Sequence, residues 1–252
     1  MRLRLLTLVV VAGLALLAWR TFRAQLPAAE RGRRLAETTG CFGCHGAEGT
    51  HGTANPGQLD RSVPTFRSDV MMYAKTRAEI REWITQGSTA RRRESRTWRE
   101  QRELGTLRMP GFGRRLSAAA IDDLVAFVEA QSMTSDSLAD SLVRRGFDRA
   151  DQLGCDGCHG PGGRFARRNP GSLKGYIPSW DGRDFPELVR DSTEFREWVE
   201  HGVSRRFDAN PAAKFFLKRA VLKMPAFERH LDPGDVPALW AWVEYARRVN
   251  AN

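Results

Sequence analysis

Cys41-Phe42-Gly43-Cys44-His45-Gly46 recurs as Cys155-Asp156-Gly157-Cys158-His159-Gly160. These two stretches hold all four cysteines of a 252-residue chain. Two thiols three positions apart, with a histidine directly after the second, form the attachment signature of a c-type haem. The spacing has a chemical reason. Such thiols reach the two vinyl groups of one porphyrin and form thioethers, and the adjoining imidazole then faces the iron as its proximal ligand. Other uses of Cys-x-x-Cys fit less well. A structural zinc site wants a second cysteine pair about 15–20 residues away, or a later histidine pair. Here the two motifs are offset by 114 residues. A thioredoxin-like redox pair wants a βαβ setting, and no alternating strand pattern surrounds either motif.

A closed haem iron needs a second axial ligand. Thioether sulfur is a soft donor suited to haem iron, and His/Met ligation raises the reduction potential. Met71, Met72 and Met133 have no counterpart in the other copy of the motif. Met109 and Met224 do: they lie 64 and 65 residues after His45 and His159, each within Met-Pro-x-Phe. A methionine before a helix ordinarily packs in a core. Recurrence at matched distance favours ligation instead, so His45 with Met109 and His159 with Met224 are the expected metal ligands. His51, His201 and His230 are competitors, but none of them recurs.

The elements between must carry these residues together, and they repeat as well. Gly32 matches Gly146, Asn55-Pro56-Gly57 matches Asn169-Pro170-Gly171, and Pro64 matches Pro178, all at an offset of 114. Arg81-Glu82-Trp83 matches Arg196-Glu197-Trp198, and Val128-Glu129 matches Val243-Glu244, at 115. Solenoid periods are about 20–50 residues. The repeat therefore reads as two tandem domains, 28–133 and 134–252, joined through Ser132-Met133-Thr134-Ser135-Asp136-Ser137. Ile121, Leu124, Val125 and Val128 have helical spacing, as do Val236, Leu239, Trp240 and Val243. Ser117 and Asp232 are the expected N-caps of these helices, with Pro233 in a first turn. Short helices are expected over 78–86 and 193–201, stopped by Gly87 and Gly202. Helices over 35–38 and 147–153 lead into the cysteine motifs. The fold class is all-α.

Residues 1–27 are set apart. Arg2 and Arg4 precede an uncharged run from Leu5 to Trp19, and Arg20 and Arg23 follow. The segment reads as an N-terminal transmembrane helix at the short limit of a span, or as a cleaved signal sequence without a good cleavage site. Either exports the remainder. With 41% hydrophobic residues the chain is not a polytopic membrane protein, and thirteen Phe and seven Trp argue against disorder. The net charge of +10 is spread as +4, +4 and +2 over residues 1–27, 28–133 and 134–252. No basic stripe marks a nucleic-acid binder.

Taken together, these motifs resemble a membrane-anchored dihaem cytochrome c, a tandem of class I cytochrome c domains, over about residues 28–252. The resemblance implies two covalently bound c-type haems. Cys41, Cys44, His45 and Met109 would hold the first, and Cys155, Cys158, His159 and Met224 the second. It also implies a loop proline whose carbonyl orients each proximal histidine. Pro56 and Pro170, eleven residues after each histidine, best match it, although Asn-Pro-Gly-x-Leu replaces the commoner Gly-Pro-x-Leu. Trp83 and Trp198 match the family's propionate-contacting tryptophan, with plain helix packing as the other reading. Haem attachment places the protein on the periplasmic side of a bacterial inner membrane, or in the periplasm if the leader is cleaved.

The resemblance implies an electron carrier between redox protein partners, either free-standing or among the subunits of a membrane-bound oxidoreductase, with contact to the membrane through the N-terminal helix. The alternative is a dihaem redox enzyme, a peroxidase or thiosulfate-type dehydrogenase, with one open or displaceable haem ligand. Residues 88–108 are rich in arginine. They read as a solvated helical face of charge pairs, or as a docking face for an acidic redox partner or anionic lipid.

Overall fold

The computed structural model describes residues 10–16, 26–67 and 70–250. Most of the expected anchor or signal, residues 1–27, lies outside the described residues. Among those described, no helix is long and apolar enough to cross a membrane.

The N-terminal half runs α1 (Ala28–Thr38), α2 (Phe42–His45), α3 (Val70–Tyr73), α4 (Arg77–Gln86), α5 (Ala90–Glu94), α6 (Arg96–Leu104) and α7 (Ala118–Ser132). The C-terminal half follows the same order: α8 (Ser141–Gln152), α9 (Cys155–His159), α10 (Phe185–Leu188), α11 (Ser192–His201), α12 (Arg205–Ala209), α13 (Pro211–Arg219) and α14 (Asp235–Asn250). The described residues form no strand, only the isolated bridges Ala54 with Ser62 and Arg168 with Tyr176.

Local chemistry sets the helix ends. The Ser117 hydroxyl accepts from the Ala120 amide at the start of α7, and Thr76 and Asp191 do the same for α4 and α11. Gly87 and Gly202 end α4 and α11 in the left-handed conformation. Two expectations need correction. The helices before the cysteine motifs begin earlier, at Ala28 and Ser141, because Asp140 caps α8 and the buried face of α1 is made of Ala29, Glu30, Gly32 and Ala36 rather than large apolar residues. Asp232 does not cap α14. It lies with Pro233 in the preceding turn, and its amide donates to Asp235 Oδ2 at 2.8 Å.

α1 crosses α7, and α8 crosses α14. At each crossing the near residue is glycine. A Cβ on Gly32 would collide with the Asp123 carbonyl, and one on Gly146 with the Ala238 carbonyl. One core gathers Ala29, Ile80, Ile84, Leu124 and Phe127; the other gathers Val143, Val199, Leu239 and Trp242. Each fully buried large apolar side chain contributes about 1.5–3 kcal/mol. The halves meet where Phe165, 0% exposed, packs on Phe127 with ring centroids 5.8 Å apart.

Asp235 ties α14 to α8. Burial alone would raise its carboxyl. The Asp232 amide and the Arg149 and Arg145 guanidiniums outweigh this and hold it below the ordinary carboxylate range. A depressed carboxyl gives stability above its unfolded pKa of about 3.9, and loses it as the pH falls through the folded value. The urea midpoint is therefore expected to drop between pH 7 and pH 3, and Asp235→Asn should shrink that drop. An equal drop in both proteins would remove Asp235 from the account.

Candidate haem sites

Each cysteine motif sits on one short helix directly after a longer one. The Cys41 amide donates to the Ala36 carbonyl at 2.9 Å, so α2 starts as soon as α1 has turned. The His45 amide donates to Cys41 at 3.0 Å, which closes the helical turn carrying both thiols and the imidazole. Neither Cys41 nor Cys155 has the electropositive setting of a reactive thiolate. Burial raises the Cys41 thiol, and it pushes the Cys155 thiol up to about 12, with the Asp156 charge adding to it. Burial likewise brings the Asp156 carboxyl to about 6.

The histidines carry the most informative bond. His45 Nδ1 lies 2.8 Å from the Pro64 carbonyl oxygen, and His159 Nδ1 lies 3.3 Å from that of Pro178. A carbonyl only accepts, so Nδ1 holds the proton and donates it. Nε2 is left with a free lone pair, the form of imidazole that binds a metal. Burial also lowers both histidines, against the opposing pull of the proline carbonyls, and so favours the neutral ring. Aromatic neighbours fix the ring planes: Phe66 lies 4.6 Å from His45, and Trp180 lies 5.3 Å from His159, between centroids.

The orienting prolines are thus Pro64 and Pro178, not Pro56 and Pro170. Both lie nineteen residues after their histidine. The chain between makes a small excursion closed by Val63 N–H to Thr53 O at 2.8 Å, and by Ile177 N–H to Arg167 O at 2.7 Å. This excursion spans residues 55–62 and returns the carbonyl of the next proline to the histidine Nδ1. The signal was present in the recurrence of Pro64 and Pro178 at the motif offset. Pro56 and Pro170 instead present their carbonyls to the Thr106 and Val221 amides, at 3.1 and 3.0 Å.

Met109 and Met224 are half-buried, one against each core. Their loops are hung on the ends of α4 and α11: Phe112 N–H donates to Ile84 O at 2.9 Å, and Phe227 N–H to Val199 O at 3.0 Å. Gly87 (φ +72°) and Gly202 (φ +73°) back directly onto the Met109 and Met224 carbonyls, where a Cβ would not fit. Positive φ and close approach together call for glycine there.

The tryptophans do not take the propionate role. The Trp83 and Trp198 indole N–H groups donate to the Tyr73 and Leu188 carbonyls, each at 3.0 Å. A tryptophan has one donor, and here it is used within the fold. His51, His201 and His230 are exposed, and the His51 ring bonds Thr50 at 2.7 Å. In the arginine-rich stretch, Arg91 pairs with Glu79, Arg93 with Glu82, Arg96 with Glu100 and Arg108 with Glu103. Arg92 lies over the Tyr73 ring, 4.8 Å from its centroid.

These residues fit a covalently bound haem: paired thiols on one turn, a neutral imidazole with Nε2 free, and a thioether on a separately anchored loop. Among the described residues no three His, Cys, Asp or Glu side chains converge as they would around a zinc ion. No curated protein and no solved structure matches the chain. Residues 29–132 match the family model for cytochrome c. That segment, which holds the first cysteine motif, His45 and Met109, is a cytochrome c domain; such a domain implies covalently bound c-type haem and supports a haem electron-transfer role.

Proposed function

We propose that the chain is a dihaem c-type cytochrome, with a second domain of the same kind over 134–252, that carries electrons one at a time between redox protein partners. The observation that carries this is the same bond made twice. Each histidine after a Cys-x-x-Cys gives its Nδ1 proton to a proline carbonyl and keeps Nε2 free. The bound haem supplies one-electron exchange between Fe(III) and Fe(II). Cys41 and Cys44, and Cys155 and Cys158, would fix the porphyrins. His45 and His159, oriented by Pro64 and Pro178, and Met109 and Met224 would be the iron ligands, and thioether ligation would raise the potential. Residues 1–27 would anchor the protein to the inner membrane, or direct it to the periplasm, and so hold it near membrane partners.

The test is ferric-state absorption and magnetic circular dichroism of the haem-loaded chain, counting Met-to-iron charge-transfer bands. Two bands per chain are expected. Met109→Ala should remove one and leave the other, and His51→Ala should change neither. One band in the wild type, with the other haem high-spin or bis-histidine, would replace the carrier with a dihaem enzyme having one open or differently ligated iron.

A further inference from the structure

The Asn-Pro-Gly stretch recurs in both halves, and the orienting of histidine leaves it unexplained. Its two asparagines are nearly buried, Asn55 5% and Asn169 6% exposed. Asn55 Oδ1 accepts from the Leu107 amide at 2.8 Å, and its Nδ2 donates to the Leu107 carbonyl at 3.1 Å. Asn169 holds Leu222 identically, both bonds at 2.9 Å. One side-chain amide thus pairs both polar groups of a single backbone residue across 52 or 53 positions of sequence. The pairing fixes which end of the amide is oxygen, because the backbone offers one donor and one acceptor. The next residue of each motif adds a second tie through the Pro56 and Pro170 carbonyls.

Leu107 and Leu222 each stand two residues before a methionine, with one charged residue between. The loop carrying each methionine is therefore pinned on both sides. After the methionine it hangs on α4 or α11; before it, it is gripped by the asparagine.

We propose that Asn55 and Asn169 are positioning residues for the axial methionines, holding each thioether against its iron; this rests on the reading of Met109 and Met224 as ligands. Asparagine is the residue this needs. Aspartate lacks the donor, leucine lacks both groups, and glutamine places the amide one methylene too far out. A clamped loop makes methionine loss from the iron costly, so a competing ligand must wait for a rare opening. Releasing the clamp raises the population of that opening.

The experiment uses the full haem-loaded chain with Asn55→Leu, Asn169→Leu and the milder Asn55→Ser. The readouts are the Met-to-iron bands and the rate of carbon monoxide binding to the ferrous haems. Each leucine variant should lose or weaken one band and speed carbon monoxide binding at that haem by about tenfold, the worth of one net hydrogen-bonded pair. The other haem should keep its band and rate, which separates loop release from general loosening. Asn55→Ser should fall between wild type and Asn55→Leu and covers the case in which Asn55→Leu does not mature. Two bands in the wild type, with bands and rates unchanged in all three variants, would overturn the clamp while leaving the ligands in place. No band in the wild type would overturn the ligand reading and the clamp with it.

Discussion

Valine at Gly146 is expected to destabilise the C-terminal half by about 4 kcal/mol. Helix propensity alone says the opposite. Glycine inside a helix is worse than most residues by up to about 1 kcal/mol, so a substitution there should help. The packing decides the sign. The position of the new Cβ overlaps the Ala238 carbonyl and crowds the Trp242 side chain, which is backbone and fully buried ring rather than the yielding end of a long side chain. α8 can accept a branched residue only by lifting off α14, and that exposes Trp242, Val243 and Leu239. The same holds at Gly32, against the Asp123 carbonyl and Phe127. For a unit of about a hundred residues the loss lowers the thermal midpoint by about 15 °C or more. Far-UV circular dichroism melts of Gly146→Val and Gly32→Val check this, with covalent haem content as the companion measurement. Midpoints within a few degrees of wild type would mean that the helices do not meet at these glycines.

Side-chain chemistry with a fixed spacing was legible in the sequence. The two cysteine motifs, the Met-Pro-x-Phe stretches and the hydrophobic period of α7 each demand particular residue types at particular positions. Stop signals at Gly87 and Gly202 were legible because a left-handed C-terminal residue favours glycine. What could not be read was where backbone groups arrive. Every residue offers a carbonyl. Whether His45 meets that of Pro56 or that of Pro64 depends on how residues 53–63 fold, which a residue pattern does not state. The tryptophans failed for a related reason. Their type allowed a propionate contact, but the Tyr73 and Leu188 carbonyls, ten residues upstream of each, took the single donor. Asp232 was a good cap by type and was bypassed because Asp235 turns back on its amide.

The repeat itself also hides what differs between the halves. Phe165 stands where the first half has His51, and it supplies the contact with Phe127. Its neighbour Arg164 stands where the first half has Thr50, and Asp181 stands where it has Arg67. Contact between the halves therefore sits beside an ion pair that exists on one side of the repeat alone.

Removing Arg164 from that pair is expected to cost about 3–5 kcal/mol at neutral pH. Arg164 Nε and Asp181 Oδ2 are 3.3 Å apart, with both side chains only 4% exposed. Burial already raises the Asp181 carboxyl, against the opposing effects of Arg164 and Ser179. Arg164→Met leaves that carboxylate buried without its charge partner, and its pKa must rise further. A carboxyl whose folded pKa is raised destabilises the fold above that value and stops doing so once it is protonated. The cost should therefore shrink as the pH falls below neutral, the reverse of the acid sensitivity conferred by Asp235. The double change Arg164→Met with Asp181→Leu removes both charges. It should be near neutral or stabilising, because a well-packed apolar pair avoids the desolvation cost of a buried ion pair. Urea unfolding of the two variants and the wild type at pH 7 and pH 5.5 reads all of this. If the double variant is as unstable as Arg164→Met, the loss comes from the contacts of the arginine stem beside Phe165, and not from a stranded charge.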